Sequence, residues 1–205
     1  MGANSMLDIV GSFIVGGIVF LMAMRLNAAA VETSTVYHGE LKLQRNLTTL
    51  VAVMENDFRK IGYCADHKKI PEPSRANLLA DSTSYKFLTD LDSNGSLDSV
   101  YYYVGGASEL TDTPNPRDCY LYRVVNDGTP EGWNLGVTRF RFRYFNALGD
   151  TLTFPISEPR EVYSMEISIA METADPIDQE YTNDPSAYEV FWKQIRVASR
   201  NLRNR

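Results

Sequence analysis

An acidic stretch in the middle of the chain carries the residues best suited to chemistry. Positions 90–98 read DLDSNGSLD, which places side-chain oxygens at alternate positions and a glycine at the sixth. This spacing follows the calcium-binding loop, in which alternate oxygens converge on one ion and the glycine takes the sharp turn. The candidate calcium ligands are Asp90, Asp92, Asn94, Ser96 through its backbone carbonyl, and Asp98.

The same stretch departs from the calcium-loop pattern at one position. The bidentate acid expected at the twelfth position is replaced by Tyr101, and the flanking segments are patterned as strands rather than as the two helices of an EF-hand. The alternative interpretation is an acidic hairpin turn, in which Asp, Asn and Gly are favoured without any ion. Both interpretations stay open at this point.

The two cysteines, Cys64 and Cys119, lie 55 residues apart, without the close spacing of a metal clip or a redox pair. In an oxidising compartment a single disulfide is the economical interpretation, and two separate buried thiols are the alternative. Catalysis by Cys64 would need a histidine, and His67 is the nearest in sequence. No zinc, triad, phosphate-loop or nucleophile-elbow motif occurs. The sequence therefore predicts a protein that is not an enzyme.

Composition places the chain among ordered globular proteins. Of its 205 residues 44% are hydrophobic and 22% charged, and the net charge is −6. Basic residues are scattered, apart from a C-terminal group that is typical of a solvated edge or tail. A nucleic-acid partner is excluded on these grounds, because phosphates call for clustered basic residues. The C-terminal group consists of Arg196, Arg200, Arg203 and Arg205.

An uncharged apolar run near the N-terminus predicts a membrane anchor. It covers Ile9–Met24 between Asp8 and Arg25, and its extension to Ala30 approaches the roughly 20 residues that span a bilayer. The competing interpretation is a cleaved secretory signal, which normally begins with basic residues. Positions 1–8 contain none, so a retained anchor is favoured.

The helical pattern continues beyond the apolar run. Between Arg25 and Pro71 there is no proline, and Gly62 stands where a helix commonly ends. We therefore predict one helix from about Met6 to about Ile61, roughly 80 Å long at 1.5 Å per residue. Its second half carries one apolar stripe at helical spacing, formed by Leu43, Leu47, Leu50, Met54, Phe58 and Ile61.

The remainder of the chain is patterned as strands and turns. Alternating polar and apolar residues predict strands at 101–104, 120–124, 140–144 and 162–171. Turn residues occur at 94–95, 126–128 and 148–150, and long loops are predicted at 105–118 and 174–187. Because helices and strands do not alternate, the prediction is an α+β fold with an antiparallel sheet on the amphipathic half of the helix.

These features resemble the type IV pilins and type II secretion pseudopilins. The segment that begins the mature chain of that class can be aligned with Asn4, Ser5, Met6, Leu7 and Asp8, and Asp8 takes its acidic position. The stretch 138–153 and the close of the chain, a strand at 162–171 followed by 191–202, are similar to the larger minor (J-type or W-type) subunits. Ala3 would precede the cleavage point.

The resemblance implies a role for Asp8 and a set of partners. Asp8 would pair with the N-terminal amine of a neighbouring subunit and set the axial stagger of a filament. The alternative is that Asp8 merely ends the membrane segment near the helix N-terminus. The implied partners are other pilin-like subunits, the inner membrane, prepilin peptidase and an assembly platform.

The predicted organisation has three parts and two competing functions. Residues 1–30 form a leader and anchor helix, 31–64 its amphipathic continuation, and 65–205 an extracytoplasmic β-rich head. The first hypothesis is a minor pilin or pseudopilin-like subunit, held once in the inner membrane, with its head in the periplasm or on an extracellular filament. The second is a singly anchored periplasmic or surface binding module with a calcium-stabilised head.

Overall fold

A computed structural model describes residues 2–70, 72–176 and 188–202, with side chains from residue 6 onward. Its contacts divide the chain into two units, residues 1–41 and residues 42–205. One helix, α1, covers Gly2–Arg59. The strands are β1 (Asn77–Ala80), β2 (Ser84–Thr89), β3 (Asp98–Val104), β4 (Cys119–Val125), β5 (Glu131–Phe145), β6 (Ser164–Glu172) and β7 (Val190–Val197).

The first unit consists of helix whose side chains are exposed to solvent almost throughout. Its hydroxyl residues bond back to the preceding turn, as at Ser12, Thr33 and Thr35, so they do not interrupt the helix. The helix is long and apolar enough, by length and composition, to cross a membrane. The prediction of a single unbroken helix is confirmed.

In the second unit, residues 42–59 of α1 bury the apolar stripe that the sequence predicts. Phe58 is fully buried, and its ring meets four aromatic rings of the sheet edge-on. The helix ends at Arg59, and Gly62 follows with φ of +72° while its N–H donates to the carbonyl of Leu88 at 3.0 Å. The buried residues of this stripe are Leu43, Leu47, Leu50, Met54 and Phe58, joined by Val51, and the sixth predicted residue, Ile61, is buried just after the helix ends.

The seven strands form one sheet in chain order, and every neighbouring pair is antiparallel. Side chains alternate between the face that packs on the helix and an outer face, because successive residues of a strand point to opposite sides. A bulge at Gly136, where φ is +81°, lets the long strand β5 pair first with β4 and then with β6. The α+β prediction is confirmed, and the arrangement is pilin-like.

The structure corrects the predicted disulfide, because Cys64 and Cys119 are both free thiols. Tyr63 and Ala65, on either side of Cys64, hydrogen-bond to Asp90. Asp90 follows Thr89, which pairs with the first residue of β3, so Cys64 lies near that end of β3. Cys119 begins β4 near the last residue of β3. The two ends of β3 are about 20 Å apart at about 3.3 Å per residue, and a disulfide needs Cα atoms within about 7 Å.

The predicted loops and turns lie between consecutive strands. Residues 105–118 connect β3 to β4 through a short 3-10 helix at Ala107–Glu109 and a turn in which Asp118 N–H donates to the carbonyl of Asn115. The predicted turns at Asn94-Gly95 and 126–128 are confirmed by positive φ angles at Gly95, Asn126 and Asp127. Most of the loop predicted at 174–187 lies outside the described residues.

Candidate functional site

The acidic loop is the connection between β2 and β3. The last pair of those strands joins Thr89 to Asp98, so the loop begins at Asp90 and closes at Asp98. Asp90 follows directly on a buried strand, and its carboxylate is fully buried. The sheet register therefore brings the first and last candidate ligands to the base of one hairpin.

Asp90 organises this loop through backbone hydrogen bonds. Its Oδ2 accepts from the N–H groups of Ala65 at 3.0 Å and Gly95 at 2.9 Å, and its Oδ1 accepts from Asn94 N–H at 3.0 Å. Burial alone would raise the pKa of the Asp90 carboxyl, but the backbone donors around it hold that pKa below its ordinary value. Asp90 therefore attaches the loop to the residues that follow the helix.

The other predicted ligands form tight turns within the loop. Asp92 accepts from the backbone and side-chain amides of Asn94, at 3.2 Å and 2.8 Å, and the side-chain oxygen of Asn94 accepts from Ser96 N–H at 2.6 Å. Asp98 accepts from Leu91 N–H at 3.0 Å. Gly95 takes φ of +80°, which is the sharp turn that the sequence predicts at this position.

Three carboxylates of the loop converge. One oxygen from each of Asp90, Asp92 and Asp98 lies within 4.8 Å of the others. The nearby ammonium of Lys60 donates to the carbonyl of Leu91 at 2.9 Å, so one positive charge lies beside the loop. Hard oxygen donors at this separation fit a calcium ion, and the hydrogen bonds above also stabilise the loop as a turn.

A second candidate surface lies on one side of the first unit. Asp8, Ser12 and Gly16 recur every four residues and therefore share a face of α1. With Gly17 they line a shallow groove of about 680 Å³ between apolar residues that include Phe13. Among the described residues no side chain lies within 4 Å over either glycine, so another helix could approach the backbone closely.

A buried polar group that sequence reasoning missed joins the helix to the sheet. Asp57 is 3% exposed, and its Oδ2 accepts from the hydroxyl of Tyr102 at 2.6 Å and from Nε of Arg123 at 2.9 Å. Burial and the Asp57 charge raise the pKa of Tyr102. The position of Asp57 beside Phe58, on the apolar face of the helix, is the sequence signal that could have revealed it.

The catalytic alternative gains no geometric support from the described residues. Cys64 is buried, whereas His67 is exposed in a short turn, and no hydrogen bond joins them in the part of the chain that is described. The acidic loop and the Asp8 face are therefore the two candidate sites. Comparisons of the chain with protein-family models, with curated proteins and with solved structures found no match.

Proposed function

We propose that the chain is a minor pilin or pseudopilin-like structural subunit that assembles into a cell-envelope filament through its N-terminal helix. The observation that carries the proposal is α1, one unbroken helix that is apolar and exposed in the first unit and ends by burying Phe58 in the core of the second. The apolar part would hold the subunit in the inner membrane, and the sheet domain would lie in the periplasm or on the filament.

The Asp8 face supports assembly rather than simple anchoring. A carboxylate within an apolar segment is costly in lipid unless it lies at the interface or pairs with a cation. Asp8 shares its face with Ser12 and Gly16, where close helix approach is sterically open. A neighbouring subunit's N-terminal amine would neutralise Asp8 in one axial register only, which would specify the packing of the helices.

Co-purification of subunits from membranes tests this proposal. We expect Asp8→Ala to lose the association with other pilin-like subunits while the protein stays in the membrane fraction. Glu32→Ala is the matched control, because Glu32 is an exposed carboxylate on the same helix and should be dispensable. Unchanged association in the Asp8 variant would reject Asp8 as the assembly contact, and no association by the parent chain would leave a plain anchor and reject the filament role.

Mass spectrometry of the mature N-terminus provides a second test. A methylated residue near Asn4 is expected from pilin-type processing. A chain that starts at Met1 or Gly2 would indicate an unprocessed anchor, and a start near Val31 would indicate a removed signal. The last two results would each contradict the proposal in a different way.

The second candidate function is a singly anchored binding module whose head is stabilised by calcium, and the three converging carboxylates would hold the ion. Terbium luminescence with calcium competition tests this function on the full chain in detergent. Asp92→Asn should weaken binding at least tenfold, whereas Asp112→Asn, an exposed loop residue outside the cluster, should not. No saturable binding at millimolar calcium would remove the site.

A further inference from the structure

Strand β7 is an edge strand of the sheet that the described residues form. It lies at the end of the sheet, and within residues 2–70, 72–176 and 188–202 the strand paired with it is β6 alone. The backbone N–H and C=O groups of such an edge can pair with a strand supplied by another chain. The eight residues of β7 are long enough to accept an extended segment.

The first half of this edge is apolar and exposed. Val190 is 50% exposed and Trp192 is 71% exposed, although both belong to a regular strand. Tryptophan is the residue type most enriched among the anchors of protein interfaces, because it buries a large area with little loss of side-chain freedom. An apolar side chain of a partner would cover it.

The second half of the edge is basic. A cavity of about 420 Å³ beside it is lined by Arg59, Arg196 and Arg200, with Glu55 as its acidic residue. Glu55 already pairs with Arg59 at 3.2 Å. Arg196 lies over the ring of Phe145 at 4.0 Å and donates to the hydroxyl of Ser164 at 3.4 Å. Glu166, opposite Arg196 on β6, pairs with Arg143, so neither Arg196 nor Arg200 forms an ion pair within the described part of the chain. In a chain of net charge −6, this excess of positive charge fits a carboxylate-bearing partner.

We infer that β7 receives an extended acidic segment of a partner protein as an added strand. Trp192 and Arg196 project from the same face of β7, about 13 Å apart at about 3.3 Å per residue. The added segment therefore carries an apolar residue opposite Trp192 and an acidic residue four positions away opposite Arg196. This inference goes beyond the proposed function and does not depend on assembly through the first unit.

A second copy of β7 does not meet this requirement. The strand reads VFWKQIRV and holds Lys193 and Arg196 but no acidic residue, so a second copy of the edge supplies no carboxylate to Arg196. The occupant must supply the negative charge. An acidic extended segment of a different protein has the required chemistry.

Fluorescence anisotropy of a labelled peptide tests the inference on the full chain in detergent micelles. The probe is a nine-residue threonine-rich peptide with leucine at position three and glutamate at position seven. A second probe exchanges these two residues, because the added strand could run in either direction. We expect one of the two probes to bind saturably at about 1 mM or below, and a version with lysine in place of glutamate to bind at least tenfold more weakly.

Two variants connect the binding to this edge. Arg196→Glu should weaken the binding of the glutamate peptide at least tenfold, and Trp192→Ala, at an exposed site where folding is not at risk, should weaken it about fivefold. Arg141→Glu is the matched control. It makes the same charge change at an exposed arginine of β5, away from the edge, and should leave binding within twofold.

Backbone pairing is tested with N-methylated peptides. Methylation of every second amide, at the positions whose N–H groups face β7, removes those donors and should abolish binding. Methylation of the other alternate amides, which face away from β7, should be tolerated. Equal effects of both methylation patterns would overturn strand addition. Equal binding of the lysine peptide, or no saturable binding by either probe, would overturn the acidic partner and leave Lys193 and Arg196 as residues that keep the edge from pairing.

Discussion

At the scale of single residues, Asp57 shows how one carboxylate can hold a helix against a sheet. Its contacts with Tyr102 and Arg123 lie between α1 and two strands, where water is excluded from the carboxylate. The side chain of Arg123 is 18% exposed, so removal of its partner would leave a largely desolvated charge. Loss of one member of a buried pair is costly for that reason.

We therefore expect Asp57→Ala to lower the free energy of unfolding by about 3 kcal/mol. Glu55→Ala is the control, two residues earlier on the same helix. It breaks a solvent-exposed pair with Arg59 and should cost less than about 1 kcal/mol. Urea denaturation followed by circular dichroism measures both variants. Equal midpoints would show that the buried pair contributes no more than the exposed one.

Asp90 leads to a prediction about pH. Its pKa is depressed in the folded chain, so its contribution to stability is complete above the unfolded value of about 3.9 and is lost as pH falls through the folded value. We expect Asp90→Asn to be less stable at pH 7 and to lose less further stability below about pH 4 than the parent chain. Urea midpoints between pH 7 and pH 2, with a chelator present, measure this. Parallel curves would contradict it.

At the scale of elements, the end of the helix depends on Gly62. Its φ of +72° is in the left-handed region, and a Cβ there would lie 3.2 Å from the Cβ of Pro73. We expect Gly62→Ala to destabilise the chain by about 1–2 kcal/mol. Gly106→Ala is the control, since φ is −75° there and the nearest atom would be 3.5 Å away. Thermal unfolding compares the two variants, and equal losses would reject the conformational argument.

Elements with a repeated pattern could be predicted, and those fixed by tertiary contacts could not. The apolar stripe from Leu43 to Phe58 predicts the helix and its buried face, and alternation predicts the C-terminal parts of β3 and β5 and most of β4 and β6. Strand β1 has four residues and no clear alternation, and β2 alternates only as far as Phe87, because the apolar Leu88 follows it directly.

The candidate site could likewise be predicted only in part. The spacing of Asp90, Asp92 and Asp98 predicts that they lie in one loop, and the structure brings their carboxylates together. The hydrogen bond from Ala65 to Asp90 spans 25 residues and depends on how the helix end meets the sheet. For the same reason the disulfide prediction was wrong. Two cysteines in a chain give no information on which end of a strand each occupies.

At the scale of the whole molecule, the apolar helix leads to a prediction about membranes. Residues such as Val15 and Phe20 are exposed on α1 although they are strongly apolar. A lysine near the centre of a membrane helix costs about 2.5–3.5 kcal/mol on insertion scales. We expect the double variant Val15→Lys, Phe20→Lys to be released by alkaline extraction, whereas the parent chain stays in the membrane pellet. Thr35→Lys, outside the apolar run, is the control, and release of the parent chain itself would contradict anchoring.

The order of the strands has a consequence for how the molecule is made. Each strand pairs with the one synthesised just before it, and α1, which supplies Phe58 to the aromatic core, is synthesised before all of them. Every strand pairing therefore closes a short stretch of chain, and such local pairing favours rapid folding. Each strand can join the sheet in the order of synthesis, whereas the end of the helix is completed last, because Ser199 donates to the carbonyl of Ile61 at 2.7 Å.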